Sequence, residues 1–124
     1  MVGYLLTGNQ LNQNNLSALS FSTSIERLCG SDRNQCVRGP SSFGTILENN
    51  GLGIAYPSLA NPNPGSIDFL SGGYITRNYI SQVSAIQTEL PYYIRAGTDR
   101  LTHAKNYAKA IVDYMIANNF LPSV

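Results

Sequence analysis

Histidine is almost absent from this chain of 124 residues, because His103 is the only one. A catalytic zinc ion needs three protein ligands, usually histidines and carboxylates. Catalysis of the Ser-His-Asp or Cys-His type needs a histidine beside the nucleophile. His103 falls within a stretch of helical periodicity, where we interpret it as a surface or boundary residue. The sequence alone therefore predicts that the chain holds no catalytic zinc by itself.

Charged residues are also scarce, at 12% of the chain, and the net charge is only +1. A nucleic-acid-binding surface needs a basic stripe, whereas the arginines and lysines here are spread along the chain. No apolar run is long enough to span a membrane. We therefore expect neither nucleic acid nor a membrane as a partner. Hydrophobic residues make up 43% of the chain, which predicts one soluble, packed domain over residues 1–124.

Only two cysteines occur, Cys29 and Cys36, on either side of a turn-rich stretch. As a disulfide they would close a short loop, worth roughly 2 kcal/mol. Two free thiols fit the sequence equally well. The pair alone does not suit a structural zinc site, which has four ligands. No basic segment precedes Tyr4 to indicate a signal peptide, so the compartment stays open and the cytoplasm is favoured.

The clearest periodic element is a helix predicted over residues 98–118. Apolar residues recur there every three or four positions and predict one buried face, formed by Leu101, Ala104, Ala108, Ile111 and Met115. Further helices are predicted over residues 42–49 and, capped by Ser22 or Thr23, ahead of Gly30. Short strands are predicted over residues 3–6 and 53–56 and twice within residues 71–95. Strands that alternate with helices indicate an α/β layered fold.

Residues 71–95 form the most informative segment, in which a glycine pair precedes two β-prone runs. The glycines suit a positive φ or a close approach of another group to the backbone. In the second run, a strand would point Gln87 and Glu89 to the same side, and Pro91 would stop it. Ligand crevices form at the ends of strands in α/β sheets. Glu89 is therefore a candidate general base, although an edge-strand glutamate paired with an arginine fits the same pattern.

Residues 72–79, GGYITRNY, followed by AIQTEL and then an arginine, resemble the C-terminal part of the N-formylglutamate amidohydrolase-like family. Shorter similarities lie at residues 3–6, 23–25, 38–44 and 57–65. Members of the family are zinc-dependent amide hydrolases, related in fold to zinc carboxypeptidases and aspartoacylases. The resemblance implies a phosphorylase/hydrolase-like three-layer sandwich with a mixed sheet, of which this chain supplies part. The His-rich metal-binding segment that the family places upstream has no counterpart in the similarity.

The resemblance also implies roles for individual residues. Glu89 would be the general base that activates zinc-bound water for attack on an amide. An N-acyl amino acid presents a carboxylate, which arginine binds in a bidentate fork, and Arg38 is the preferred candidate. Other candidates for substrate binding are Arg77, Arg27 and Tyr74. A solvated or cross-strand arginine and a core tyrosine are the structural alternatives for these positions.

The chain departs from the family pattern at two positions of this site. The family usually reads Ser-Ser-Ile-Arg where residues 23–26 of this chain read Thr-Ser-Ile-Glu. The arginine of this chain, Arg27, comes one place later, which is about 100° further around a helix. The family often has a histidine where Asn78 stands. We therefore predict that the chain is the C-terminal part of a zinc-dependent amidohydrolase that acts on N-acyl amino acids or related amides. The chain alone is expected to be inactive. The alternative is a non-catalytic binding or structural domain, and a homo-oligomer or a complementing chain is a partner to expect.

Overall fold

Two short strands that lie far apart in the sequence pair with one another in the computed structural model, which describes residues 1–122. Strand β1, Val2–Gly3, runs antiparallel to β2, Gln87–Thr88, and the first residue of β1 faces the last residue of β2. Beyond β2, the Glu89 N–H donates to the Met1 carbonyl at 2.9 Å, and the terminal amino group donates back to the Glu89 carbonyl at 2.8 Å. The pairing joins the N-terminal residues to the segment that precedes α6, within one α/β unit.

Helices account for most of the regular structure. In chain order they are α1 (Gly8–Leu11), a 3₁₀ turn (Leu16–Ala18), α2 (Glu26–Cys29), α3 (Arg33–Arg38), α4 (Phe43–Asn49), α5 (Tyr74–Asn78), α6 (Tyr92–Ala96) and α7 (Arg100–Ala117). Helix α7 packs against α4 and α6, and α2 packs against α3. The helices predicted over residues 42–49 and 98–118 are confirmed. None of the helices within residues 1–122 has the length and apolar character needed to cross a bilayer.

The first strand predicted within residues 71–95 is wrong, because this part of the chain forms helix α5. The Gly73 carbonyl accepts hydrogen bonds from the Thr76 hydroxyl at 2.9 Å and from the Arg77 N–H at 3.1 Å. These local bonds satisfy backbone groups that a strand would pair with a neighbour. The strand predicted over residues 53–56 is also absent, and there the Ala55 N–H donates to the side chain of Glu48 at 2.8 Å.

Helix α7 is buried through a different face from the one predicted. Ala110 and Tyr114 are buried, and Tyr107 is half-buried. The ring of Phe43 meets both tyrosines edge-on, with centroids 6.1 Å from Tyr107 and 5.3 Å from Tyr114. Leu101, on the predicted face, is instead 72% exposed. Both faces carry apolar residues with helical spacing, and periodicity alone does not say which of them docks.

Cys29 and Cys36 are joined in a disulfide that links α2 to α3. The ring closure is worth roughly 2 kcal/mol. Beside it, Arg33 pairs with Glu26 at 2.8 Å and also donates to the Leu19 carbonyl at 2.7 Å. These bonds hold α2, α3 and the 3₁₀ turn together as one layer. Disulfides persist mainly in oxidising compartments, which does not favour the cytoplasmic location expected above.

Tyr4 is fully buried in the core, and its hydroxyl makes no hydrogen bond of good geometry within residues 1–122. Burial, with a smaller contribution from Tyr114, raises the pKa of Tyr4 above its usual value. The N–H groups of Phe43 and Gly44, at the start of α4, oppose this rise only in part. The core therefore holds a phenol that resists ionisation.

We expect the stability of the chain to fall as the pH rises above about 10, the pKa of an unfolded tyrosine. Above that pH the unfolded state releases the Tyr4 proton while the folded state keeps it, so unfolding is favoured by up to about 1.4 kcal/mol per pH unit. A Tyr4→Phe chain lacks this contribution. In urea unfolding, the free energy of unfolding of Tyr4→Phe should therefore rise relative to that of the unmodified chain only at high pH. A difference that stays constant with pH, or an equal gain in the exposed control Tyr79→Phe, would contradict the explanation.

Candidate functional site

A cleft of about 550 Å³ opens beside α3 and is rich in amide side chains. Its polar lining residues are Asn14, Asp32, Asn34, Gln35, Arg38 and Asn63. Carboxamides both donate and accept hydrogen bonds, so this lining suits a polar ligand. Arg38, the preferred anion-binding candidate, lies in this cleft.

The guanidinium of Arg38 is buried and engaged by neutral oxygen atoms. Nη1 donates to the Leu11 carbonyl at 2.7 Å and to Oδ1 of Asn63 at 2.8 Å. Nη2 donates to the carbonyls of residues 13–14 at 2.8 and 3.1 Å, and Nε donates to Oδ1 of Asn34 at 3.2 Å. These contacts occupy the five N–H donors of a guanidinium. Burial lowers the pKa of Arg38. Arg38 thus clamps two loops onto α3, and a carboxylate would have to displace that clamp.

The other two arginine candidates lie near α5. Arg27 donates to the carbonyls of Ser81 and Gln82, the latter at 3.1 Å, and so ties α2 to the loop after α5. Arg77 is exposed on α5, and its side chain makes neither a hydrogen bond nor an ion pair with any of the described residues. Of the three candidate arginines, Arg77 has the guanidinium that is free to meet an anion.

A second cleft, of about 490 Å³, lies between α5 and β2. Tyr74 lines it and is 75% exposed, and Gln87 lines it from β2. A Cβ added to Gly73 would lie 2.6 Å from Oε1 of Gln87, so glycine permits this close approach. Gly72 has a φ of +146°. Both properties predicted for the glycine pair are therefore confirmed.

Glu89 follows β2 directly, and its side chain is exposed. It borders a shallow depression of about 20 Å³ together with Met1, Leu47 and Leu52. Neither Arg77 nor Arg95 forms an ion pair with it in the part of the chain that the structure describes. The carboxylate thus lies at a strand end, and the candidate arginines do not line the same depression.

His103 lies in a groove of about 230 Å³ between α6 and α7, with Arg95 and Arg100 also in the lining. Its ring meets Tyr93 edge-on at 6.2 Å, and its Nδ1 atom is buried without a hydrogen-bond partner among residues 1–122. Over the same residues, no group of three or more His, Cys, Asp and Glu side chains is arranged to hold a metal. The described residues therefore do not fit the catalytic zinc site of the family that the sequence resembles.

The structure separates the candidate residues rather than bringing them together. Arg38 lies in the amide-rich cleft, Tyr74 in the cleft between α5 and β2, and Glu89 beside a third depression. The chain matches no protein-family model, no curated protein and no solved structure. Membership of the amidohydrolase-like family therefore stays a prediction that rests on the motifs.

Sequence reasoning missed the amide-rich cleft. Asparagine and glutamine are frequent over residues 9–15, and residues 61–64 repeat Asn-Pro, but neither pattern alone predicts a cleft. The structure bridges the two, because Asn12 Nδ2 donates to the Gly65 carbonyl at 2.8 Å and the Gly65 N–H donates to Asn12 Oδ1 at 2.9 Å. Two separate amide-rich loops were the available signal.

Proposed function

We propose that this chain is the C-terminal part of a zinc-dependent amidohydrolase of the N-formylglutamate amidohydrolase-like kind, and that it acts only when completed by a further segment. The observation that supports this best is an exposed carboxylate, Glu89, at the end of β2. Within residues 1–122, β2 has a strand partner on one side only. A strand with a free edge accepts further strands. The three-layer sandwich with a mixed sheet belongs to the completed form.

In this proposal, Glu89 accepts a proton during hydrolysis of the amide of an N-acyl amino acid. Its exposure leaves the carboxylate free to do so. Because the described residues do not fit a zinc site, metal binding falls to the completing segment. Arg77 takes over the carboxylate-binding role first given to Arg38, because the Arg38 donors are occupied by the protein itself. Alone, the chain should not hydrolyse amides.

Reconstitution tests this function. The purified chain, zinc and the metal-binding half of an N-formylglutamate amidohydrolase should together hydrolyse N-formylglutamate, and each protein alone should not. Glu89→Gln should lower turnover of the mixture about 100-fold or more, the usual contribution of a general base. Asp68→Asn removes another exposed carboxylate and should leave turnover unchanged. Turnover that persists in Glu89→Gln, or no activity in any mixture, would contradict the proposal.

A second candidate function is a non-catalytic binding domain, which the amide-rich cleft favours. Arg38 fixes both loops of that cleft before any ligand arrives, and a preorganised site loses less entropy on binding. Its amide side chains suit a neutral, polar small molecule. If this is the function, ligand binding depends on Asn63 and is unaffected by Glu89→Gln. If the amidohydrolase function is correct, Glu89→Gln instead lowers turnover.

A further inference from the structure

Besides its buried face, α7 carries a second apolar stripe that is largely exposed. Leu101 is 72% exposed, Ile111 41% and Val112 46%, and Ala104 and Ala108 are exposed as well. Residues 101, 104, 108, 111 and 115 keep the alternating three- and four-residue spacing of a coiled-coil seam. An exposed apolar stripe of this length is typical of a surface that contacts another molecule. Another surface should therefore cover this seam, here called the outer stripe.

Few charges interrupt the outer stripe. Lys109 lies to one side of it and is already paired with Asp113 at 2.6 Å. Arg100 and Lys105 flank it, and neither has a carboxylate partner among residues 1–122. Two parallel copies of α7 would bring identical lysines side by side, which is unfavourable. The charges therefore favour an antiparallel arrangement if the covering surface is a second copy.

We propose that two copies of this chain associate through α7 as an antiparallel, two-fold symmetric pair. With Ala108 of one copy opposite Ile111 of the other, Ala104 lies opposite Met115. Small side chains then face large ones in successive layers, which is how well-packed helix interfaces fill space. The two-fold axis repeats each of these contacts. The two alanines, Ala104 and Ala108, are thus complementary to the larger Ile111 and Met115 when the helix is reversed.

The same alignment satisfies the flanking charges. Arg100, at the beginning of α7, comes beside the end of the other copy's helix, where the terminal carbonyls carry partial negative charge. Lys105 comes beside Val112 and can lay its aliphatic stem along it. Phe120 and Leu121, exposed beyond the end of α7, extend the contact. A lipid surface fits less well, because membrane-bound helices present bulky apolar residues and two positions here are alanine.

Sedimentation of the full chain over a range of concentrations tests the association. We expect a monomer–dimer equilibrium, since one helix pair is a small interface. Ala108→Lys, within the outer stripe, should weaken dimerisation at least tenfold. Thr102→Lys adds the same charge at an exposed position outside the stripe and should leave it unchanged. Both substitutions are at exposed sites, and circular dichroism verifies that each variant is folded.

Cysteine cross-linking tests the orientation. Ala104→Cys and Met115→Cys chains, mixed and mildly oxidised, should cross-link to each other. Leu101→Cys should not cross-link to itself, because its two copies would lie about 25 Å apart along an antiparallel pair. Self-linked Leu101→Cys would overturn the orientation, and a monomer at every concentration would overturn the association. A monomer that binds vesicles of phosphatidylcholine and phosphatidylglycerol through the stripe would assign the surface to lipid instead.

The pairing uses none of the residues assigned to hydrolysis, so it goes beyond the proposed function. Dimerisation is measured without substrate or metal, and turnover is measured in a mixture with the metal-binding half. Ala108→Lys affects only the first measurement and Glu89→Gln only the second. Failure of one proposal is therefore distinguishable from failure of the other.

Discussion

Replacing Arg38 with methionine should lower the free energy of unfolding by about 3 kcal/mol or more. The guanidinium joins α3 to the loop over residues 11–14 and to Asn63. Without it, buried carbonyl oxygens lose their donors, and each unsatisfied group costs about 1–3 kcal/mol. Methionine keeps much of the apolar stem, so the loss reports on the hydrogen bonds more than on lost packing.

Urea unfolding followed by circular dichroism measures this loss. Arg38→Lys keeps the charge but replaces the planar fork with three donors on one atom, so we expect an intermediate loss of about 2 kcal/mol. Arg77→Met is the matched control, because that side chain is exposed and makes no bonds within residues 1–122, and its effect should stay within about 0.5 kcal/mol. If Arg38→Met cost no more than the control, the clamp would contribute nothing to stability.

The guanidinium of Arg38 is hydrogen-bonded within the protein, whereas the sequence suggested an anion-binding role for it. An arginine ahead of Gly-Pro and a helix fits an anion site, because the sequence shows the charge but not the acceptors around it. Apart from Asn34, one turn of α3 away, those acceptors come from residues 24 or more positions away, as with the carbonyl of Asn14. Which loops fold over a side chain is set by tertiary packing, and no local pattern encodes it.

Local patterns predicted the elements that local interactions determine. Ser42 accepts the Thr45 N–H as the cap of α4, and α4 and α7 begin and end close to the expected residues. The prediction of α5 as a strand was wrong because a β-branched run favours strand in general, whereas hydrogen bonds to Gly73 favour a helical turn here. Glu89 directly follows β2, in keeping with the prediction that Pro91 stops this strand.

The face through which α7 docks illustrates a second limit of sequence reasoning. Two apolar stripes run along this helix, and each has a spacing that fits burial. The inner stripe is selected by Phe43, whose ring meets Tyr107 and Tyr114. Such aromatic pairs add favourable energy beyond the area they bury. Choosing between the stripes needs the partner helix, which lies far away in the sequence.

Replacing Gly44 with alanine should also destabilise the chain, by about 3 kcal/mol, although alanine is the better helix former. Gly44 lies in α4, and a Cβ there would overlap the carbonyl oxygen of Pro57 and come within 3.0 Å of its carbon. A backbone carbonyl cannot rotate aside, so α4 and the segment after Pro57 would have to separate. That movement would break the bond from the Leu59 N–H to the Thr45 hydroxyl, now 2.9 Å.

Thermal unfolding should show the Gly44→Ala loss as a midpoint lower by about 12 °C, at about 4 °C per kcal/mol for a domain of this size. Gly8→Ala is the control, because a Cβ there would have Phe69 as its nearest neighbour at 3.3 Å, and a change within about 1 kcal/mol is expected. Since Leu59 and Asn63 line the amide-rich cleft, separating this segment from α4 should also weaken any ligand bound there. A Gly44→Ala chain as stable as Gly8→Ala would mean that the segment does not lie against α4.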